Sequence, residues 1–133
     1  MRKVSYSTYV NFRSNDNSYW EHKKKRFKMS IPVGYEKVLI EGSHENEVQF
    51  VYPDSSIIYF SNDLISGSFS NWKNLESIST KTSDYLYQDT IRNEGFSDKG
   101  YWRELKLKDV IIGYLNAPLD KKEAYNGALE SIR

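Results

Sequence analysis

Apolar side chains recur at every second position through much of this chain, the spacing that lines one face of a β-strand. Phe27, Met29 and Ile31 alternate with Lys28 and Ser30, and Val48, Phe50 and Tyr52 alternate with Gln49 and Val51. Val38, Leu39 and Ile40 make a short strand between two turn-type sequences, Pro32-Val33-Gly34-Tyr35 and Gly42-Ser43. Ser56 to Phe60 is apolar on both faces, which predicts a covered central strand. With Pro53-Asp54-Ser55 as the turn, it pairs with the run before it as an antiparallel hairpin.

The sharpest pattern comes late. Tyr101–Leu107 and Val110–Leu115 are two strands separated only by Lys108-Asp109, the gap of a tight hairpin. Val110, Ile112 and Tyr114 share one face of the second strand, Ile111 and Leu115 the other. Pro118-Leu119-Asp120 then opens a C-terminal helix, with Asp120 as cap and Glu123 completing a capping-box spacing. Ala124, Ala128 and Ile132, with Tyr125 and Leu129, form its apolar stripe. Gly127 costs that helix about 1 kcal/mol relative to alanine, so packing must hold it.

Two stretches are weakly patterned. Residues 61–83 are rich in serine and asparagine, and Ile65, Phe69, Trp72, Leu75 and Ile78 drift around a helix; a loop with one short helix is expected. Alternation resumes over Asp84 to Arg92 through Tyr85 and Tyr87. Residues 1–25 are polar with scattered aromatics, a short strand over Ser5–Val10 and a turn at Ser14–Ser18. They read as a polar, basic N-terminal arm or edge element. Residues 26–133 read as a single α+β domain of five to seven mainly antiparallel strands, with the C-terminal helix packed on one face.

Composition narrows the chemistry. At 133 residues the chain can build an ordinary core. Eleven tyrosines suit a sheet with one face toward water. The absence of cysteine excludes disulfides, thiolate metal sites and cysteine nucleophiles. No window approaches a membrane-spanning length of about 18 apolar residues, and Met1–Phe12 lacks the apolar stretch of a signal peptide. Net charge is +1, but residues 1–30 hold eight bases against two acids, and the remainder eleven bases against sixteen acids. A basic arm on a mildly acidic body follows.

Catalytic constellations are missing from this picture. His22 and His44 are the two histidines. His44 and Glu47 have ligand-type chemistry, but a metal site needs three or four converging groups, and a solvated turn is the expected reading. Gly67-Ser68-Phe69-Ser70 does not fit a nucleophile elbow. The aspartates border turns, where local hydrogen bonds account for them. No phosphate-cradling glycine motif occurs. No cofactor is implied.

Recognition is better supported. His22-Lys23-Lys24-Lys25-Arg26, beside Tyr19, Trp20 and Phe27, could grip phosphate, stack a base or rest on an anionic membrane. Nucleic acid is disfavoured because the domain as a whole is not basic. Trp20, Lys24, Arg26, Trp72, Tyr85, Tyr87 and Trp102 are the candidate binding residues. Trp102 is out of phase with Leu105 and Leu107, which puts it on the opposite face of its strand, where it is either a buried core residue or an interface anchor.

The segments FKMSIPVGYE (27–36), GYWRELKLKDVIIGYLNAP (100–118) and DKKEAYNGALESIR (120–133) resemble small exported or lipid-anchored proteins of Gram-negative anaerobes. The order of an opening strand with Pro-x-Gly-aromatic, a middle hairpin and a final helix also resembles the PsbP-like α/β/α sandwich. This resemblance implies an accessory or binding role and, if a leader has been removed, a periplasmic or membrane-anchored setting; otherwise the setting is cytoplasmic. The function expected is non-catalytic protein recognition, with a toxin-neutralising immunity protein as one concrete form. The alternatives are a small-ligand, carbohydrate or hydrolase-like cleft near residues 61–83, and anionic membrane or nucleic-acid binding through residues 22–28.

Overall fold

The computed structural model describes the backbone of residues 1–13, 20–42, 45–63, 78–82 and 90–133, and side chains within 1–9, 23–42, 45–63 and 90–133. Strands β1 (Arg2–Arg13) and β2 (Trp20–Ile31) pair antiparallel as a two-stranded hairpin, with Tyr6 opposite Phe27 and Val4 opposite Met29. Seven more strands make a second sheet: β3 (Glu36–Glu41), β4 (Asn46–Val51), β5 (Ile57–Ser61), β6 (Ile78–Thr82), β7 (Thr90–Ser97), β8 (Gly100–Lys106) and β9 (Ile111–Ala117). Their order across the sheet is β3-β4-β5-β9-β8-β7-β6, antiparallel at every pairing. Helix α1 (Leu119–Glu130) follows β9 and packs against β2, β8 and β9. The protein is an α+β domain with one C-terminal helix on a mainly antiparallel sheet.

The pleat sorts the side chains as the alternation predicts. Val48, Phe50, Ile58, Phe60, Leu105, Ile112 and Tyr114 enter one buried cluster with Tyr125, Ala128, Leu129 and Ile132 from the C-terminal segment. Val4, Tyr6, Phe27, Met29 and Ile31 of the hairpin join the same cluster. The Tyr6 ring stacks on Phe60 at 5.4 Å, and its hydroxyl donates to Asn46 Oδ1. Burial, together with the nearby Glu47 carboxylate and against a hydrogen bond with Thr8, pushes that hydroxyl up to about 12. Hairpin and helix therefore cover the same face of the large sheet.

The hairpin is fastened at several further points. Lys28 and Arg133 exchange two backbone hydrogen bonds of 3.0 Å, and the Ser30 amide donates to Ser131 Oγ at 2.8 Å. Tyr52 donates its hydroxyl to the Pro32 carbonyl at 2.7 Å. Residues 1–25 are accordingly not a separable arm: β2 runs unbroken from Trp20 through residue 26, and Val4, Tyr6 and Thr8 are buried. The serine-rich look of Ser5–Thr8 hid this, because every second side chain there is Tyr6, Thr8 or another core-facing group.

Both hairpin turns match their sequence signals. The Leu107 amide donates to the Val110 carbonyl at 2.9 Å, closing the β8–β9 turn around Lys108-Asp109. Tyr52 and Ser56 close the β4–β5 turn, with Ser55 at φ 69° and the Asp54 carboxylate accepting from the Ser56 amide at 3.0 Å. Gly113 lies between Tyr59 and Glu104 in register, and the Tyr59 side chain crosses over it. A Cβ at that position would collide with the Tyr59 ring and come within 2.7 Å of the Arg103 carbonyl.

Several expectations need correction. Nine strands are described, against five to seven expected. The additional pairing comes from the hairpin and from β6, which lies inside the stretch 61–83 expected to be loop and helix. Residues 64–77 and 83–89, with the expected short helix and Tyr85 and Tyr87, fall outside the described residues. The helix is capped by Pro118 without a side-chain hydrogen bond, so Asp120 sits within the first turn, where its charge favours the helix dipole. Ala124 is exposed, and the buried stripe is Tyr125, Ala128, Leu129 and Ile132. Val38 and Leu39 lie on edge strand β3 and are 38% and 54% exposed.

One polar relay ties the β4–β5 turn to the helix. Asp54 accepts from Lys121 Nζ and from Ser56 Oγ, each at 2.5 Å, and Ser56 Oγ lies 2.5 Å from the Tyr125 hydroxyl. Ser56 has one proton, and a carboxylate only accepts, so Tyr125 donates to Ser56. Burial pushes the Asp54 carboxyl up, but its hydrogen bonds from Lys121 and Ser56 and the Lys121 charge outweigh that and hold it at about 2. A depressed carboxyl contributes stability above its unfolded pKa near 4 and loses it as pH falls toward 2. Asp54→Asn should thus lower stability at pH 7 and make little difference near pH 2, checked by urea unfolding at both values. In the core, Phe60→Ala should cost about 3–5 kcal/mol in the same experiment. Gly113→Ala should cost roughly 1–3 kcal/mol by overpacking.

Candidate functional site

The pleat that buries Phe27 and Met29 turns the residues between them outward. Lys24, Arg26 and Lys28 therefore share the outer face of β2, spaced about 6.7 Å apart along the strand. Register sets Tyr9 beside Lys24, Ser7 beside Arg26, Ser5 beside Lys28 and Lys3 beside Ser30. Lys3, Lys24, Arg26 and Lys28 are all exposed, as is Tyr9 at 70%. Arg26 Nη2 donates to Ser5 Oγ at 3.2 Å, so the guanidinium leans across β1. No carboxylate stands on this face among the described residues.

The basic run is thus divided by the strand that carries it. Lys25 points the other way, over the Phe27 ring at 5.0 Å, and pairs with Asp109 Oδ2 at 3.1 Å in the β8–β9 turn. Lys23 has the parity of Lys25. Of the bases within the expected stretch 22–28, Lys24, Arg26 and Lys28 belong to the outer face, and Lys3 joins them. Lys3 was not singled out by sequence because it lies over twenty residues away along the chain; only the hairpin register brings it in. Trp20 stands opposite Arg13 in register, and its side chain lies outside the described residues.

The other candidates are distributed differently. Trp102 is on the face opposite Leu105, as its phase indicates, but that face is buried too: Trp102 is 4% exposed and packs with Tyr59 and Ile111. It is a core residue and not an open interface anchor. Alternation reports which face a side chain takes, and here both faces of the central strands are covered. Trp72, Tyr85, Tyr87 and His44 fall outside the described residues. Glu47 is fully buried and accepts a 2.5 Å hydrogen bond from Gln49, which corrects its reading as part of a solvated turn. Among the described residues no three His, Asp or Glu side chains converge on a metal position.

A second depression lies along the helix. About 530 Å³ in volume, it is lined by Leu119, Asp120, Lys122, Glu123 and Asn126. Asn126 Oδ1 accepts from Tyr114 at 2.7 Å and from the buried Arg103 at 3.1 Å. Arg103 in turn stands 3.9 Å from both Glu94 and Glu130. Signs alternate within this depression, so it selects neither anions nor cations, whereas the hairpin face carries one sign only.

No protein-family model matches the chain, and neither does any curated protein or solved structure. The site is defined by its own geometry: a hairpin with a buried inner face and a cationic outer face. Substituting Lys24 or Lys28 by alanine should change stability by no more than about 0.5 kcal/mol, as for exposed positions generally. Phe27→Ala, one residue from Lys28, should cost about 3–5 kcal/mol. Parallel denaturant melts of the three variants check this division.

Proposed function

We propose that this domain is a non-catalytic binding module that recognises the acidic surface of another protein through the outer face of its hairpin. The observation that carries this reading is the grouping of Lys3, Lys24, Arg26 and Lys28 on one face without a described carboxylate among them. A patch of one sign speeds encounter with its complement and fixes orientation. The core-facing side of the same strands fixes the backbone that carries the cations, so little main-chain order must be imposed on binding. Tyr9 adds a broad aromatic surface at low entropy cost.

A protein partner is favoured over nucleic acid by the charge of the rest of the chain. The net negative charge beyond residue 30 repels an extended polyanion, while a compact acidic partner can confine its contact to the hairpin. A toxin-neutralising immunity protein remains the concrete form of this reading, since such a role needs a small domain that binds and does no chemistry.

The test uses the intact chain and a charge-reversed form, Lys24→Glu with Arg26→Glu and Lys28→Glu, as baits in extracts of the native host. The reading expects an acidic protein captured by the first and lost by the second, with affinity falling as salt rises. Equal capture by both baits, or recovery of nucleic acid in place of protein, contradicts it.

A further inference from the structure

The hairpin has two long edges, and they are unlike. The outer edge of β2 is tied at its C-terminal end by the Lys28–Arg133 backbone pair and by Ser131 Oγ on the Ser30 amide. Among the described strands β1 pairs only with β2, and no backbone hydrogen bond joins it to another described element. Among the described residues, its second row of N–H and C=O groups meets no backbone partner along a strand of twelve residues.

Exposed edges in folded proteins are ordinarily kept short, charged, bulged or interrupted by proline, because an open edge accepts further strands. β3 carries Glu36, Lys37 and Glu41 over six residues, and β6 carries Lys81 over five. β1 is different. From Val4 to Phe12 it holds no charge and no proline, and Val4, Tyr6, Thr8, Tyr9, Val10 and Phe12 all favour the extended state. Its pairing with β2 runs in continuous register without a bulge.

We infer that β1 is a strand-addition site, and that the occupant is an extended acidic segment of the partner, added edge to edge as a third strand of the hairpin. This inference rests on the binding reading above and specifies its mode. The side chains support one sign of ligand. Ser5 and Ser7 are the smallest groups on the outer face of β1, and Arg26 already reaches across to Ser5. An added strand would lie about 4.8 Å beyond β1, and its outward side chains would repeat every second residue, in step with Arg26 and Lys28. Acidic groups at those positions meet the cations, while main-chain bonds supply affinity without regard to sequence. A second copy of the chain is the poorer occupant: antiparallel β1–β1 pairing would put two sets of Lys3, Arg26 and Lys28 on one continuous face, with like charges opposed.

In a strand, residues whose side chains point up all direct their N–H groups to one edge, and residues pointing down direct theirs to the other. The probe is a fluorescent ten-residue peptide of alternating glutamate and threonine, titrated with the full chain at low salt. Two derivatives carry N-methyl groups, one on every glutamate and one on every threonine. Strand addition predicts that one derivative, and only one, loses at least about tenfold in affinity, since its edge-facing donors are gone. Arg26→Ala should weaken the parent peptide without disturbing the fold. If both derivatives bind like the parent, strand addition is wrong while recognition of acidic protein stands. If the parent does not bind, and anionic vesicles or single-stranded DNA do, both readings fall together. A chain that self-associates through β1 and excludes the peptide assigns the edge to a second copy and also overturns the inference.

Discussion

The stacking of Tyr6 on Phe60 decides what the first thirty residues are. That contact, with the Tyr6 hydroxyl on Asn46, seats the inner face of the hairpin on the large sheet beside the helix. Once the inner face is seated, the pleat leaves no choice for the outer one: Lys24, Arg26 and Lys28 must turn to solvent because Phe27 and Met29 turn to the core. The same alternation that builds the core builds the cationic face.

This coupling explains how a chain of nearly neutral net charge can carry a strongly signed surface. The bases of residues 1–30 are not spread along a mobile tail. They are divided by the strand into an outer group and an inner group, of which Lys25 is held by Asp109. A fixed array of like charges costs some self-repulsion, offset by the burial of Val4, Tyr6, Phe27, Met29 and Ile31 beneath it. The edge of β1 that has no backbone partner among the described residues lies beside this array, so a bound segment would meet both main-chain groups and charges at once. The helix-side depression has no such concentration of one sign.

The sequence disclosed those parts of the fold whose local signals agree with their packing. The β8–β9 hairpin, the β4–β5 hairpin and the C-terminal helix were legible because alternation, turn residues and helical spacing coincide in each. The covered strand Ile57–Ser61 was legible because it is apolar on both faces. What escaped was information held in register. Ser5-Tyr6-Ser7-Thr8 is too polar by composition to announce a core strand, and its burial depends on Phe60 and Asn62, more than fifty residues away. Trp102 was assigned the correct face, and the burial there selects the core reading over the interface one, since one strand's pattern alone cannot report whether its second face is covered. Of the candidate site, Lys24, Arg26 and Lys28 were visible as bases within residues 22–28, and their shared face follows from the alternation of β2; Lys3 required the pairing of β1 with β2.

The hairpin is part of the core and not an appendage to it. Native-state hydrogen exchange of the β2 amides from Phe27 to Ile31 measures this directly. Protection equal to that of β5 and β9, lost only in global unfolding, is the predicted result. Exchange of those amides through a separate, much cheaper opening, with β5 and β9 still protected, would mean that the hairpin detaches on its own and would contradict the account.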